Sequence, residues 1–376
     1  MLDIPCGRIH TYRYRSFSLA ATDTVMRMLF GNALCRYYRN VMEKIGITTT
    51  VPIEVIYAAG YVPVDLNNVF VSHPDYGRFV EEAELAGFPR SFCAWIKGIY
   101  GTVKEMEDLA AVVAVTQGDC SNTKALMETL QSDGMEVIPF AYPYERDYKL
   151  LRVQMDIFMS RLGVERESAE ATMEHLDEIR AKAHHIDKLT WEDGLVSGFE
   201  NHLYLVSCSD MEGQPEAFGK KLDAFTSEAE ARAGGEGFRN ARDMVCLGYI
   251  GVPPIAPSLY EYLESLGARV VFNETQRQFS LPFATRDLVE KYRLYSYPYS
   301  IFYRLEDIQR EAKRRRLAGL IHYVQSFCFR QVEDIILRKH LDIPVLTVEL
   351  DHSARLDART KMRLENFVSM LEGYGG

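Results

Sequence analysis

Apolar and polar positions recur along this chain with two periods, and the switches between them mark out its elements. The run "ATDTVMRMLFGNALCRYYRNVMEKIG" carries apolar residues at helical spacing up to Gly46, so residues 1–45 read as a mainly helical extension. "VPIEVIYAAGYVPVDL" predicts a short helix broken at Gly60 and then a strand, and "LAAVVAVTQGDC" predicts a buried strand ending at Cys120. The Ser121, Asn122 and Thr123 cluster suits a helix cap ahead of an amphipathic helix, and "MEVIPFAYP" supplies another strand. From about 144 to 235 the pattern is helical, polar and nearly strandless, closing at "GGEG". Alternation then resumes, with strands at "DMVCLGYIG", "ARVVFNET", "AGLIHYVQSFC" and "IPVLTVEL" and helices between and after them.

Strands alternating with helices across short loops imply parallel sheets. The fold class predicted is α/β, with two doubly wound, mostly parallel-sheet domains, a helical segment between them and a helical N-terminal extension. The boundaries read as 1–45 for the extension, 46–235 for a first α/β domain holding Cys93 and Cys120 with the helical segment, and 236–376 for a second holding Cys328. Cys120 and Cys328 each follow a buried strand and precede a helix, at the edge where open α/β sheets bind ligands.

Composition narrows the classes. A hydrophobic share of 47% and a charged share of 26% are ordinary for a soluble globular protein, and no apolar run approaches the roughly 20 residues that span a bilayer. The N-terminus shows no compact apolar segment followed by a cleavage site, so a cytoplasmic protein without a membrane association is expected. A formal charge of -10 disfavours nucleic acid as a partner, and "KRRR" at Lys313–Arg316 reads as the solvated end of a helix. No phosphate-binding GxxxxGK[ST] pattern is present. His184 and His185, adjacent on a helix, read as solvated, and the tyrosines of "YRLYSYPYSIFY" as packing between domains.

Seven cysteines, an odd number widely spread, argue against a disulfide framework and leave buried thiols or metal ligands. Cys93, Cys120 and Cys328 stand at strand-to-helix or loop-to-helix junctions, but their spacing is not the CxxC type of most zinc or ferredoxin sites.

The words around them are more specific. "VPIEVIYAAGYVPV", "FPRSFCAWIKGIYG", "VTQGDCSNTKALMETL", "GLIHYVQSFCFRQVEDIILRKHLDIPVLTVELDHS" and "RLENFVSMLE" stand in the order seen in the 2-hydroxyacyl-CoA dehydratase family. That family also contains benzoyl-CoA reductase subunits and double-cubane cluster proteins, and the chain resembles it over about residues 50–372. The resemblance implies an iron-sulfur subunit in which Cys93, Cys120 and Cys328 hold one [4Fe-4S] cluster between two α/β domains, with one iron open to substrate or water. It implies an anaerobic lyase that passes one electron to the carbonyl of a 2-hydroxyacyl-CoA thioester, so that the resulting ketyl radical expels the adjacent hydroxyl. It also implies a related subunit in a heterodimer, or a homodimer, and an ATP-dependent activator iron-sulfur protein that supplies the electron.

Other positions keep two readings. Glu54 matches a family acid near the active site, or is a helix N-terminal acid suited to the dipole. Ser121 and Asn122 face cluster or substrate, or only cap a helix. Gln325 and Ser326 precede Cys328 and could face the same cavity, whereas His322 reads as a core histidine. Cys6, Cys35, Cys208 and Cys246 read as packing, although Cys208 or Cys246 could add a ligand. "FPRSFCAWIKGIYG" looks most like the double-cubane branch, but the further cysteines of that branch are missing from "TVKEMEDL", "FNETQRQ" and "RLYSYPYS". Two alternatives to the dehydratase therefore stay open: a low-potential reductase or electron carrier dependent on the same kind of activator, and a non-catalytic scaffold of the same fold.

Overall fold

The computed structural model describes residues 43–233, 235, 243–256, 258–350 and 355–374. The extension expected over residues 1–45 lies outside them up to residue 42, as do Cys6 and Cys35. Its expected end is corrected. Lys44–Ile47 is a strand, β1, in which Gly46 sits opposite Val64 and Val112 rather than closing a helix. Four residues are too few for periodicity to separate a strand from a helix end.

Each half of the described chain builds a four-stranded, all-parallel sheet. The first uses β1, β2 (Val62–Asp65), β3 (Leu109–Gln117) and β4 (Val137–Ala141) in the order β2-β1-β3-β4. The second uses β5 (Val245–Gly251), β6 (Ala268–Asn273), β7 (Gly319–Val324) and β8 (Val345–Glu349) in the order β6-β5-β7-β8. Along β3, Ala111, Val113 and Val115 join one core while Val112 and Ala114 join another. Along β7, Ile321 and Tyr323 face one core and Leu320 a second. Sheets buried on both faces read as continuous apolar runs, which is why these strands were legible.

The helices around the first sheet are α1 (Ile53–Ala58), α2 (Leu66–Ser72), α3 (Gly77–Leu85), α4 (Ala94–Glu105) and α5 (Ser121–Ser132). The helical segment comprises α6 (Tyr148–Leu162), α7 (Arg166–Lys188), α8 (Gly198–Val206) and α9 (Pro215–Ala231). Around the second sheet lie α10 (Ser258–Ser265), α11 (Glu274–Phe279), α12 (Leu288–Leu294), α13 (Ile301–Arg314), α14 (Arg330–His340) and α15 (Ala358–Tyr374). No described helix is long and apolar enough to cross a membrane.

The two halves exchange packing. Phe199 of α8 packs on the second sheet's core, and Asn273 at the end of β6 donates to Asn201 Oδ1 at 2.7 Å. In return Phe279, Leu288, Tyr292 and Tyr295 enter the core of the first sheet, where Tyr142 meets Tyr295 and Tyr299 edge-on. Two surface expectations fail here for one reason, that buried acceptors recruit polar side chains inward. Arg315 of the "KRRR" run is buried, 2.6 Å from Asp187 and 2.9 Å from Glu311, while Lys313, Arg314 and Arg316 stay exposed. His184 is half-buried with Nε2 2.9 Å from the Ser280 carbonyl, and only His185 is exposed.

Candidate functional site

In a parallel sheet the strand order reverses where successive connections leave in opposite directions, and a crevice opens there beyond the strand C-termini. Here the reversals lie between β1 and β3 and between β5 and β7. One cavity of about 170 Å³ is lined from both: Thr48 and Thr49 follow β1, Asp119 and Cys120 follow β3, Val252 to Pro254 follow β5, and Gln325, Phe327 and Cys328 follow β7. Cys93, Trp95, Ile96 and Ile99 add a wall from the start of α4, and His202, Leu203 and Val206 add another from α8.

Two glycines permit this approach. Gly118 has φ +98°, and a Cβ there would come within 2.8 Å of Pro298 and of Tyr142. Gly251, at the end of β5, has φ +105°, and a Cβ would come within 2.2 Å of the Tyr323 carbonyl. Neither spacing admits a side chain. Phe327, directly before Cys328, also takes φ +57° without being glycine and is 80% exposed at the cavity. Such strain persists only where the surroundings impose it.

All three cysteines line this cavity, each at or just ahead of a helix start. Cys93 stands at the N-cap of α4, without a side-chain hydrogen bond to the helix. Cys120 caps α5, and Asn122 N–H donates to Sγ at 3.5 Å. Cys328 stands two residues before α14, with its N–H bonded to the Gln325 carbonyl at 3.1 Å. Helix N-termini favour negative sulfur. Burial works the other way and pushes the Cys93 thiol up to about 12 and the Cys120 thiol to about 11, with the other cysteines' charges adding to the rise. These groups are therefore thiols when free, and a metal must displace their protons to bind.

Cys93, Cys120 and Cys328 offer thiolates, the donor type an iron-sulfur cluster takes. Among the described residues no three His, Cys, Asp or Glu side chains close on one point as the ligands of one metal would. Around a cubane each thiolate binds a different iron, so the sulfurs stand apart around a shared space. Cys208, buried with Sγ donating to the Tyr204 carbonyl, and Cys246, half-buried on β5, do not line the cavity.

Residues 48–371 match the family described as 2-hydroxyglutaryl-CoA dehydratase, D-component. The chain belongs to that family. No curated protein matches it by sequence.

The other residues expected at the site of this dehydratase-family chain divide. Asn122 and Gln325 line the cavity. Gln325 is 1% exposed, gives its amide N–H groups to Tyr323 Oη and the Leu350 carbonyl, and leaves Oε1 without a partner. Ser121 is exposed at the first position of α5 and Ser326 donates to Glu349; neither lines the cavity. Glu54 is also outside it, fully buried 2.8 Å from Arg180. His322 is in the core with Nδ1 2.9 Å from Asp334.

Sequence reading missed several lining groups. Arg330 is buried and charged, over the Tyr297 ring at 4.4 Å and 3.3 Å from Glu333. Nearby Asp119 is pushed up to about 6 by burial, against the pull of hydrogen bonds from Cys120 and Thr123 and of the Arg330 charge. The only sequence signal for these two was proximity, Arg330 two residues after Cys328 and Asp119 one before Cys120. His202 carried no signal, being one histidine in an apolar helix.

Proposed function

We propose that this protein is the iron-sulfur subunit of a 2-hydroxyacyl-CoA dehydratase-like enzyme, with a [4Fe-4S] cluster held by Cys93, Cys120 and Cys328. The observation that carries the reading is that cysteines from the switch points of both sheets, and a third from a helix start, line one largely apolar cavity. Bound there by Cys93, Cys120 and Cys328, the cluster would supply one-electron chemistry for a net loss of water from a 2-hydroxyacyl thioester.

The chain's own residues supply the surroundings. Trp95, Ile96, Ile99, Val252 and Phe327 keep water from the reacting carbons. The N–H groups at the starts of α4 and α5 offset the negative charge of the sulfurs. Arg330, ion-paired with Glu333 at 3.3 Å, places a guanidinium group at the wall. Membership of a component family supports two partners: a related subunit, and an activator that couples ATP hydrolysis to electron delivery.

The test is iron and sulfide analysis with EPR on anaerobically purified protein. About four irons per chain are expected, lost in Cys93→Ala, Cys120→Ala and Cys328→Ala and kept in Cys208→Ala and Cys246→Ala. About eight irons would favour the double-cubane reductase instead, and iron content indifferent to all three changes would leave a scaffold.

A further inference from the structure

His202 is held as few cavity side chains are. Its ring packs in a triangle with Phe199, 25° from parallel at 6.0 Å, and Tyr260, 29° from parallel at 5.6 Å, which also meet each other at 5.8 Å. Gln276, fully buried on α11, places its Nε2 2.9 Å from His202 Nδ1. With the Gln276 amide N–H as donor, Nδ1 accepts and the ring proton lies on Nε2, while Gln276 Oε1 is buried without a hydrogen-bond partner. Among the described residues Nε2 makes no hydrogen bond, and it is not among the polar atoms buried without a partner, so it is the edge the ring leaves open. Burial alone pushes the imidazole down to about 4, so the open edge is a neutral donor at physiological pH.

Of the other amides at the wall, Asn122 has no side-chain hydrogen bond among the described residues, and three are already committed. Asn67 Nδ2 serves the Thr48 carbonyl and Asp65, Asn68 Nδ2 serves Ser209, and Gln325 Nε2 serves Tyr323 and Leu350. A donor in a fixed tautomer, rigidly stacked and unspent, is suited to an oxygen that gains negative charge during reaction, because it need not reorient as that charge develops. A neutral imidazole does this without the desolvation cost of a buried cation.

We propose that His202 donates its Nε2–H to the carbonyl oxygen of the thioester bound in this cavity, an inference that rests on the acyl-CoA reading above. His202 is then a catalytic residue that touches substrate, and Gln276 a positioning residue that sets its tautomer. Loss of one such donor slows chemistry by about a hundredfold or more.

The test uses the anaerobically purified protein, in the complex it forms, with [1-13C]butyryl-CoA as probe and isotope-edited infrared spectroscopy. The thioester band of bound probe is expected at lower frequency in wild type than in His202→Phe, which keeps the aromatic stack. Gln276→Leu, which leaves the ring but frees Nδ1, is expected to shift and broaden the band, and it decides the matter alone if His202→Phe does not fold. Identical bands in wild type and both variants would overturn the role of His202 while leaving the acyl-CoA reading in place. A cluster potential moved by His202→Phe with the band unmoved would put the donor on the cluster and overturn the proposal as well. Failure of wild type to bind butyryl-CoA would overturn the acyl-CoA reading, and this inference with it.

Discussion

Arg180 and Glu54 meet at 2.8 Å with both side chains closed off from solvent, and Tyr292 donates to the same carboxylate at 2.7 Å. The three come from α7 of the helical segment, α1 beside the first sheet and α12 of the second half, so one carboxylate ties together parts distant in sequence. Lys291 extends the tie by pairing with Asp177 at 2.7 Å, which in turn bonds Arg180 at 2.9 Å.

Removing the cation of that group strands a buried carboxylate. Arg180→Ala is expected to lower unfolding stability by about 3–5 kcal/mol, the usual cost of breaking a buried pair. Urea midpoints of wild type and variant check this; an unchanged midpoint contradicts it. Glu54→Gln keeps an acceptor for Tyr292 and is expected to cost less.

The close approach at Gly118 gives a second expectation. Gly118→Ala meets both a left-handed backbone and a Cβ contact at 2.8 Å, each costing roughly 1–3 kcal/mol. Gly60 has φ +83° with nothing within 4 Å of a Cβ, so Gly60→Ala bears only the backbone cost. Urea denaturation of the pair should show Gly118→Ala clearly the less stable, and equal losses would rule out the contact.

His202 gives acid sensitivity of known sign. Its folded value of about 4 lies below the ordinary 6.5, so between the two the unfolded chain binds a proton that the folded chain refuses. Its contribution is complete above about 6.5 and is lost as pH falls toward 4, a difference on the order of 3 kcal/mol. Denaturation midpoints at successive pH values should show a shallower acid loss in His202→Phe than in wild type.

How much of this was legible in the sequence depended on whether a property is local. β3 and β7 were readable because burial on both faces leaves an uninterrupted apolar run; the start of α5 was readable too, although its cap is Cys120 and not the Ser121, Asn122 and Thr123 cluster that the sequence suggested. β1 was hidden by its length and by a glycine that also suits a helix end. Arg315 defeated the reading for another reason: a charge is assigned to the surface unless its partner is known, and Asp187 lies more than a hundred residues away; Glu54 is in the first turn of α1, one of its two readings, although its partner Arg180 could not be foreseen. The three cysteines emerged only from the words around them, since nothing in their spacing says that two sheet edges share one cavity.

The matching strand orders of the two sheets mean that the chain carries one plan twice. Cys120 and Cys328 occupy corresponding places, each just beyond the third strand of its half. Cys93 begins the helix that precedes β3, and its counterpart ahead of β7 is Ser300, which begins α13. The two halves thus differ at this position, with a thiol in the first and a hydroxyl in the second. A chain with six equivalent sulfurs would be free to build a larger, closed inorganic core. This one brings three to the cavity, two of them at corresponding places and Cys93 without a counterpart.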